Sequence, residues 1–325
     1  MAQPADWKTA AQLQPKPAEY AFDLEGALAS IVGVRATIAE DAFTAKTLGT
    51  ERAGNGVVVD SQGIILTIGY LVTEAETLWL NTHDGRALPG HVLAYDQETG
   101  FGLIQALGRL GLPALPLGHA SAASIGDKVV VGGSGGRIHS VAARIAAKQQ
   151  FAGYWEYLLD EALFTAPAHP NWGGTGVIDE GGRLIGVGSL HLEHARENTA
   201  PEHMNMIVPI DLLKPIYNDL LTLGRANKPP RPWLGLYATE IDGKVVVAGL
   251  ASEAPARRGD LRVGDIILSV AGQNVGDLAA LYAAIWSLGH AGVEVPLSLY
   301  RDGRTLNPVL RSTDRALLLK KSRLQ

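Results

Sequence analysis

The chain has 325 residues, 46% of them hydrophobic and 19% charged, with a formal net charge of -5. That length suits two or three domains with cores of their own, and the mild acidity speaks against nucleic acid as a partner, whose binding surfaces carry a basic stripe. Cysteine is absent, which excludes disulfides, zinc–thiolate sites and cysteine nucleophiles.

Met1 to Lys8 contain neither a basic n-region nor an apolar h-region, so the chain reads as cytoplasmic, or as periplasmic if a leader has been trimmed away. No apolar run approaches the ~20 residues that span a bilayer. Residues 1–23 read as an N-terminal arm punctuated by Pro4, Pro15 and Pro17, with a short helical turn expected from Asp23 to Leu28. Residues 30–38 have strand composition, 42–52 make a polar loop, and 54–67 form a hairpin that turns at Asp60 to Gly63. Further strands are expected at 77–81, 90–95, 102–106, 128–132, 141–147, 163–166, 183–189 and 204–209. Short strands at this spacing suit a barrel or sandwich rather than βαβ units. Phe151, Tyr154, Trp155 and Tyr157 form an aromatic cluster fit for core packing or for lining a cleft.

His169-Pro-Asn-Trp-Gly-Gly-Thr-Gly176 reads as a tight backbone turn feeding a hairpin that turns at 179–183. Residues 210–223 have helical apolar spacing, with Gly224 as the stop. The proline-rich, basic stretch 224–232 is a linker. Beyond it, 233–313 form a compact unit with strands at 233–239, 244–250, 265–270 and 295–301. Its helix at 278–288 repeats Leu278, Leu281, Tyr282 and Ile285 at three-to-four spacing. The tail 314–325 reads as frayed.

Several ordered stretches resemble the HtrA/Deg family of serine proteases. Gly54-Asn-Gly-Val-Val-Val-Asp-Ser-Gln-Gly-Ile-Ile-Leu-Thr67 is similar to the family's first strand pair, and Ala94-Tyr-Asp-Gln-Glu-Thr-Gly-Phe-Gly-Leu-Ile104 to its aspartate segment. Gly126-Asp-Lys-Val resembles the strand that opens its second barrel, and Asn171-Trp-Gly-Gly-Thr-Gly-Val177 its nucleophile loop. Leu234-Gly-Leu236, Ala254-Pro-Ala-Arg-Arg-Gly-Asp-Leu-Arg-Val-Gly-Asp-Ile-Ile267 and Tyr300-Arg-Asp-Gly303 resemble a PDZ domain. The resemblance implies a mainly β chain. A trypsin-like double six-stranded antiparallel β-barrel at 24–223 precedes a C-terminal α+β PDZ domain at 233–313.

The same resemblance carries three catalytic positions onto residues that cannot act. The histidine position holds Tyr70, whose phenol, with a reference pKa of ~10, is a poor general base. The aspartate position holds Gly100, which has no side chain, and the nucleophile position holds Trp172, whose indole only donates a hydrogen bond. In the oxyanion loop Pro170, Asn171, Gly173 and Gly174 flank that tryptophan, and Pro170 has no N–H to offer. The expected function is a degenerate homologue acting as scaffold, adaptor or holdase. The alternatives are an endopeptidase with a displaced site and a structural oligomer, since the resemblance also implies a homotrimer.

Other candidates read as structural. Gly132-Gly-Ser-Gly-Gly136 mimics a nucleophile elbow but suits a glycine-rich turn. Thr175 reads as a strand-entry residue, and Ser189 with His191 share a strand face without an evident carboxylate. His191, His194, Glu197, Glu202 and His203 have metal-ligand residue types, yet a solvated loop explains them and neither a metal nor a cofactor is expected. In the PDZ-like unit, Trp233, Leu234, Gly235, Leu236 and Tyr237 would supply the carboxylate loop and the strand that a peptide joins. Leu281 and Ile285 would flank the side-chain pocket, so the expected partners are peptides or protein C-termini. The opposing expectation is a groove filled by the chain's own linker or docked against the barrels.

Overall fold

A computed structural model describes residues 7–194 and 202–320. Two compact units emerge, one of residues 1–149, 161–227 and 320–325, the other of 150–160 and 228–319. The sequence reading counts 150–160 with the barrels, whereas in space they group with the PDZ-like residues. Among the described residues no helix is long and apolar enough to cross a membrane.

In the first unit, Asp23 caps α1 (Leu24–Ala29) through its side chain, which accepts from the Gly26 N–H. Six strands then close a barrel: β1 (Ile31–Ile38), β2 (Glu51–Val58), β3 (Ile64–Ile68), β4 (Ala75–Asn81), β5 (Ala87–Tyr95) and β6 (Phe101–Ala106), in the order β1-β2-β3-β6-β5-β4. Every residue of β3 is buried, and β1 alternates along most of its length, as expected for strands around a filled interior. The second barrel closes in the order β10-β11-β12-β9-β8-β7. It is built from β7 (Lys128–Gly132), β8 (Val141–Gly153), β9 (Tyr157–Ala166), β10 (Gly176–Ile178), β11 (Leu184–His194) and β12 (Glu202–Pro209). Strands β8 and β9 run well past the 141–147 and 163–166 expected from sequence, which carries their connecting tip into the other unit.

The segment 42–52 is not a simple polar loop. It holds α2 (Ala45–Leu48) and a buried network in which Arg52 donates to the Tyr70 and Thr73 carbonyls and to the Thr44 hydroxyl. The Glu74 carboxylate completes it, accepting from the Thr44 N–H and hydroxyl and from the Phe43 N–H. Such buried charges are tolerated only when every partner is supplied, and here they fix the backbone at Tyr70. The expected helix at 210–223 is shortened to α3 (Tyr217–Leu223), because Pro215 cannot supply the N–H of a continuous helix. The first described residues are docked rather than loose: Thr9 N–H donates to the Ile138 carbonyl, and Trp7 sets its edge against His139 and His169.

In the second unit the sheet order is β13-β14-β15-β17-β18, formed by β13 (Leu236–Ile241), β14 (Lys244–Leu250), β15 (Ile266–Val270), β17 (Glu294–Arg301) and β18 (Arg304–Leu306). The short β16 (Gln273–Asn274) pairs with β15, and β19 (Val309–Arg311) with β17. A short helix, α4 (Pro255–Arg258), follows β14, and α5 (Leu278–Ser287), capped by the Asp277 side chain, covers the sheet. Its core gathers Leu234, Leu236, Val245, Val247, Ile267, Leu281, Tyr282, Ile285 and Leu299. Strand β13 lies at the sheet edge, pairing with β14 on one side.

Candidate functional site

Two loops lined by backbone N–H groups dominate the chemistry of the chain. The first runs from His169 to Thr175 between β9 and β10. His169 is fully buried: its N–H donates to the Asn205 side-chain oxygen, and its Nε2 lies 2.7 Å from the His139 carbonyl. Its Nδ1 accepts the Asn171 N–H at 3.0 Å, so the imidazole is neutral with both nitrogens engaged. Burial pushes its pKa down to about 4.

Asn55 clamps the loop from the first barrel. Its side-chain amide donates to the Asn171 and Gly173 carbonyls at 2.9 and 3.1 Å, and its own N–H reaches the Gly173 carbonyl at 2.8 Å. Gly174 sits at φ 77, where a side-chain carbon would overlap the Asn55 carbonyl oxygen, and its N–H donates to Gly188 at 2.8 Å. Thr175 donates both its N–H and its hydroxyl to the Trp172 carbonyl, so its hydroxyl is engaged locally.

The structure brings Tyr70, Gly100 and Trp172 to one place. The Gly69 N–H donates to the Gly100 carbonyl at 2.7 Å, seating the turn before β6 against the backbone that carries Tyr70. A side-chain carbon at Gly173 would meet the Tyr70 hydroxyl at 2.7 Å. That hydroxyl donates to the Ser189 carbonyl at 2.8 Å, and burial pushes the phenol above its ordinary value. The Trp172 indole stacks on His191, 5.3 Å between centroids, and His191 stacks on His203 at 5.1 Å. Burial, followed by the neighbouring His203, lowers the His191 pKa.

The secondary candidates fare as follows. A register shift in β11 between Gly188 and Leu190 interrupts the alternation that would have kept Ser189 and His191 on one face. His191 and His203 face each other as stacked rings, Glu197 lies outside the described residues, and no group of three His, Cys, Asp or Glu among the described residues could hold a metal ion. Ser134 is held in its turn by its N–H, which donates to the Asn55 side chain at 2.8 Å.

The second loop is Leu234-Gly-Leu236, where three successive N–H groups converge. Gly235 makes the convergence possible at φ 76, where an added side-chain carbon would overlap Ala254. The loop is occupied: the Glu156 carboxylate accepts from Leu234 at 3.1 Å, Gly235 at 2.6 Å and Leu236 at 2.8 Å. Burial pushes this carboxyl up to about 7, against the pull of those N–H groups and of Arg315. Two residues earlier, the Tyr154 carbonyl accepts the Ala238 N–H at 3.0 Å, joining the free edge of β13. On α5 it is Tyr282 that meets this segment, its hydroxyl donating to the Gly153 carbonyl at 2.8 Å and accepting the Glu156 N–H at 3.3 Å. Leu281 and Ile285 are fully buried in the core. Trp233 pairs its backbone with Thr313, and the Tyr237 ring lies edge-on to Tyr154 at 6.0 Å.

Sequence reasoning missed Glu156, Tyr282, Asn55 and the Arg52 network. The groove is occupied, but by the 150–160 tip and not by the linker expected to fill it.

Comparison with known proteins matches these parts in order. Residues 54–187 match the trypsin-like peptidase domain family and 232–309 the PDZ domain family. The chain is 26% identical over 270 residues to a probable periplasmic DegP-like serine endoprotease of Pseudomonas fluorescens, covering 78% of this chain and 54% of that protein. It is 25% identical to the serine endoprotease DegS of Salmonella typhimurium, covering 78% of this chain and 74% of that protein. The chain thus spans about half the length of the DegP-like relative. Among solved structures, the HtrA-type protease AlgW with a decapeptide shares the fold, with a TM-score of 0.53 at 17% identity, over 93% of this chain and 100% of that one. A trypsin-like double barrel followed by a PDZ domain, with relatives of this kind, makes the chain a member of the HtrA family.

Proposed function

We propose that this chain is a catalytically degenerate HtrA homologue that binds peptides or protein C-termini through its PDZ domain, as scaffold, adaptor or holdase. The observation that carries the reading is the meeting of Tyr70, Gly100 and Trp172 around one loop. Peptide hydrolysis on this fold needs a hydroxyl, an imidazole to take its proton, a carboxylate to hold that imidazole, and N–H donors for the oxyanion. The Tyr70 phenol spends its proton on the Ser189 carbonyl and, with its pKa raised, takes none at neutral pH. Gly100 offers no carboxylate, Trp172 no hydroxyl, and Pro170 no N–H. Loss of such groups together lowers rates by about 10⁴ to 10⁶.

Binding is supported by the second loop, whose three N–H groups converge on a single carboxylate beside an edge strand. The decisive experiment incubates the purified protein with an unfolded protein substrate and, separately, with a serine-directed fluorophosphonate probe. Neither cleavage nor labelling is expected. Cleavage that co-elutes with the protein and survives Trp172→Ala would defeat the degenerate reading and favour a displaced active site.

A further inference from the structure

The segment in the carboxylate loop has the layout of a peptide ligand. Glu156 places an anion against the Leu234, Gly235 and Leu236 N–H groups, and Tyr154, two residues before it, offers its carbonyl to Ala238, two residues beyond Leu236. An extended peptide adding a strand to β13 would make the same pair of contacts, with its terminal carboxylate where the Glu156 side chain now sits. The tip is shaped for the task. Glu156 adopts φ 59, an uncommon backbone for a residue with a side chain, which turns the main chain away into β9 while the carboxylate stays in the loop. Tyr282 fastens the turn from α5, bonding Gly153 and Glu156, and Ala152 and Leu158 on either side pack against the apolar core of the same unit. Tyr154 and Tyr237 close the edge with their rings.

We propose that Tyr154-Trp-Glu156 is an internal ligand that keeps the PDZ groove shut, and that a chain ending in a free carboxylate binds only by displacing it. The proposal rests on the peptide-binding reading above and adds the condition under which that binding occurs. It also names the chemistry a competitor needs: a terminal carboxylate, a backbone carbonyl two residues upstream, and an aromatic side chain there to replace Tyr154 against Tyr237. An acid or aromatic group alone meets one of these requirements and would leave the tip in place.

The test uses the full chain and a fluorescent decapeptide ending in Tyr-Trp-Val with a free carboxylate, alongside its C-terminal amide. Binding is followed by fluorescence polarisation for the wild type, Glu156→Ala and Glu156→Gln, the last preserving the shape of the tip. Hydrogen exchange at Gly235, Leu236 and Ala238 independently reports whether the groove has opened. In the wild type these amides should exchange slowly and the acid peptide should bind weakly. In Glu156→Ala the amides should exchange faster, the acid peptide should bind at least ten-fold tighter and restore protection, and the amide peptide should bind neither protein. Glu156→Gln should fall between. Equal affinity for wild type and Glu156→Ala, with exchange accelerated only in the variant, overturns the gate and leaves peptide binding standing. Accelerated exchange with no peptide bound by any variant overturns the peptide-binding reading itself, and the gate with it. Exchange unchanged in Glu156→Ala also overturns the gate, because the carboxylate would then not be what covers those amides.

Discussion

The loops at 169–175 and 234–236 are both built from backbone N–H groups around a glycine in the left-handed region, yet their donors are used in opposite ways. At 169–175 three donors are spent on neighbouring backbone or side chains, the Asn171 N–H on His169, that of Gly174 on Gly188 and that of Thr175 on Trp172, while Pro170 has none. At 234–236 three donors still converge on one point, and an anion from the same unit fills it. The first loop keeps its shape because hydrogen bonds to neighbouring strands sustain the turn whatever side chain stands at 172. The second is filled because aligned buried donors must be satisfied by something, and the Glu156 carboxylate satisfies all three.

The largest effects should come from the two glycines. Gly174→Ala forces a side-chain carbon into the Asn55 carbonyl at a backbone conformation that alanine resists. The clamp on Asn171 and Gly173 must then shift, which costs more than about 3 kcal/mol. Gly235→Ala meets the Ala254 methyl in the same way, with a comparable loss. Denaturant unfolding of each variant checks both. A loss below about 1 kcal/mol at either position would mean that the loop is pliable and that its convergent geometry is not imposed by the backbone.

Proton linkage should separate the loops more sharply, because their buried groups titrate in opposite senses. His169 is held neutral with its pKa lowered from 6.5 to about 4, and His139 is the titratable group that acts on it. Its contribution is present above pH 6.5 and is lost as pH falls toward 4. Glu156 is raised from 4.5 to about 7, with Tyr282 bonded to its N–H and Arg315 acting on its charge. Docking of its tip is firmest below pH 4.5 and weakens as pH rises toward 7. Each window is worth about 3 kcal/mol. Hydrogen exchange corrected for its intrinsic pH dependence should show protection at Asn171 and Gly174 falling between pH 6.5 and 4. Protection at Gly235, Leu236 and Ala238 should fall between pH 4.5 and 7. Parallel trends at both loops would contradict the opposite burial effects on the imidazole and the carboxyl.

The double barrel and PDZ architecture was legible because short alternating strands and glycine turns are local patterns, and because several motifs recur in a fixed order along the chain. What escaped reading is what depends on distant partners. Glu156 meets a loop about eighty positions later in the chain, and an isolated Glu after Tyr-Trp carries no mark of it. The aromatic run 151–157 suited a barrel core or a cleft equally well, and only the length of β8 and β9 decides where their tip goes. Arg52 reads only as the end of a polar loop and Glu74 carries no signal at all, since a buried ion network has no periodicity. Pro215 stands inside the helix expected at 210–223, and its missing N–H makes the break before α3 that the apolar spacing did not show.

The smallest expected effect is the most informative about the first loop. Trp172→Ser places a hydroxyl at the nucleophile position, and the resulting activity should be indistinguishable from zero. A serine hydroxyl there gains no base, because the phenol of Tyr70 donates to Ser189 and its raised pKa keeps it protonated. The nearest ordered imidazoles do not help: His169 is buried with both nitrogens engaged, and His191 stands over the Trp172 ring within the stack that leads to His203. Nor does Pro170 supply the second oxyanion donor. The substitution removes the indole from a half-buried surface, so the fold should change little beyond the loss of the stack on His191. Fluorophosphonate labelling and cleavage of an unfolded substrate check this side by side. If Trp172→Ser is labelled where the wild type is not, a working base still stands at this loop, and the degenerate reading proposed for it fails at its chemical root.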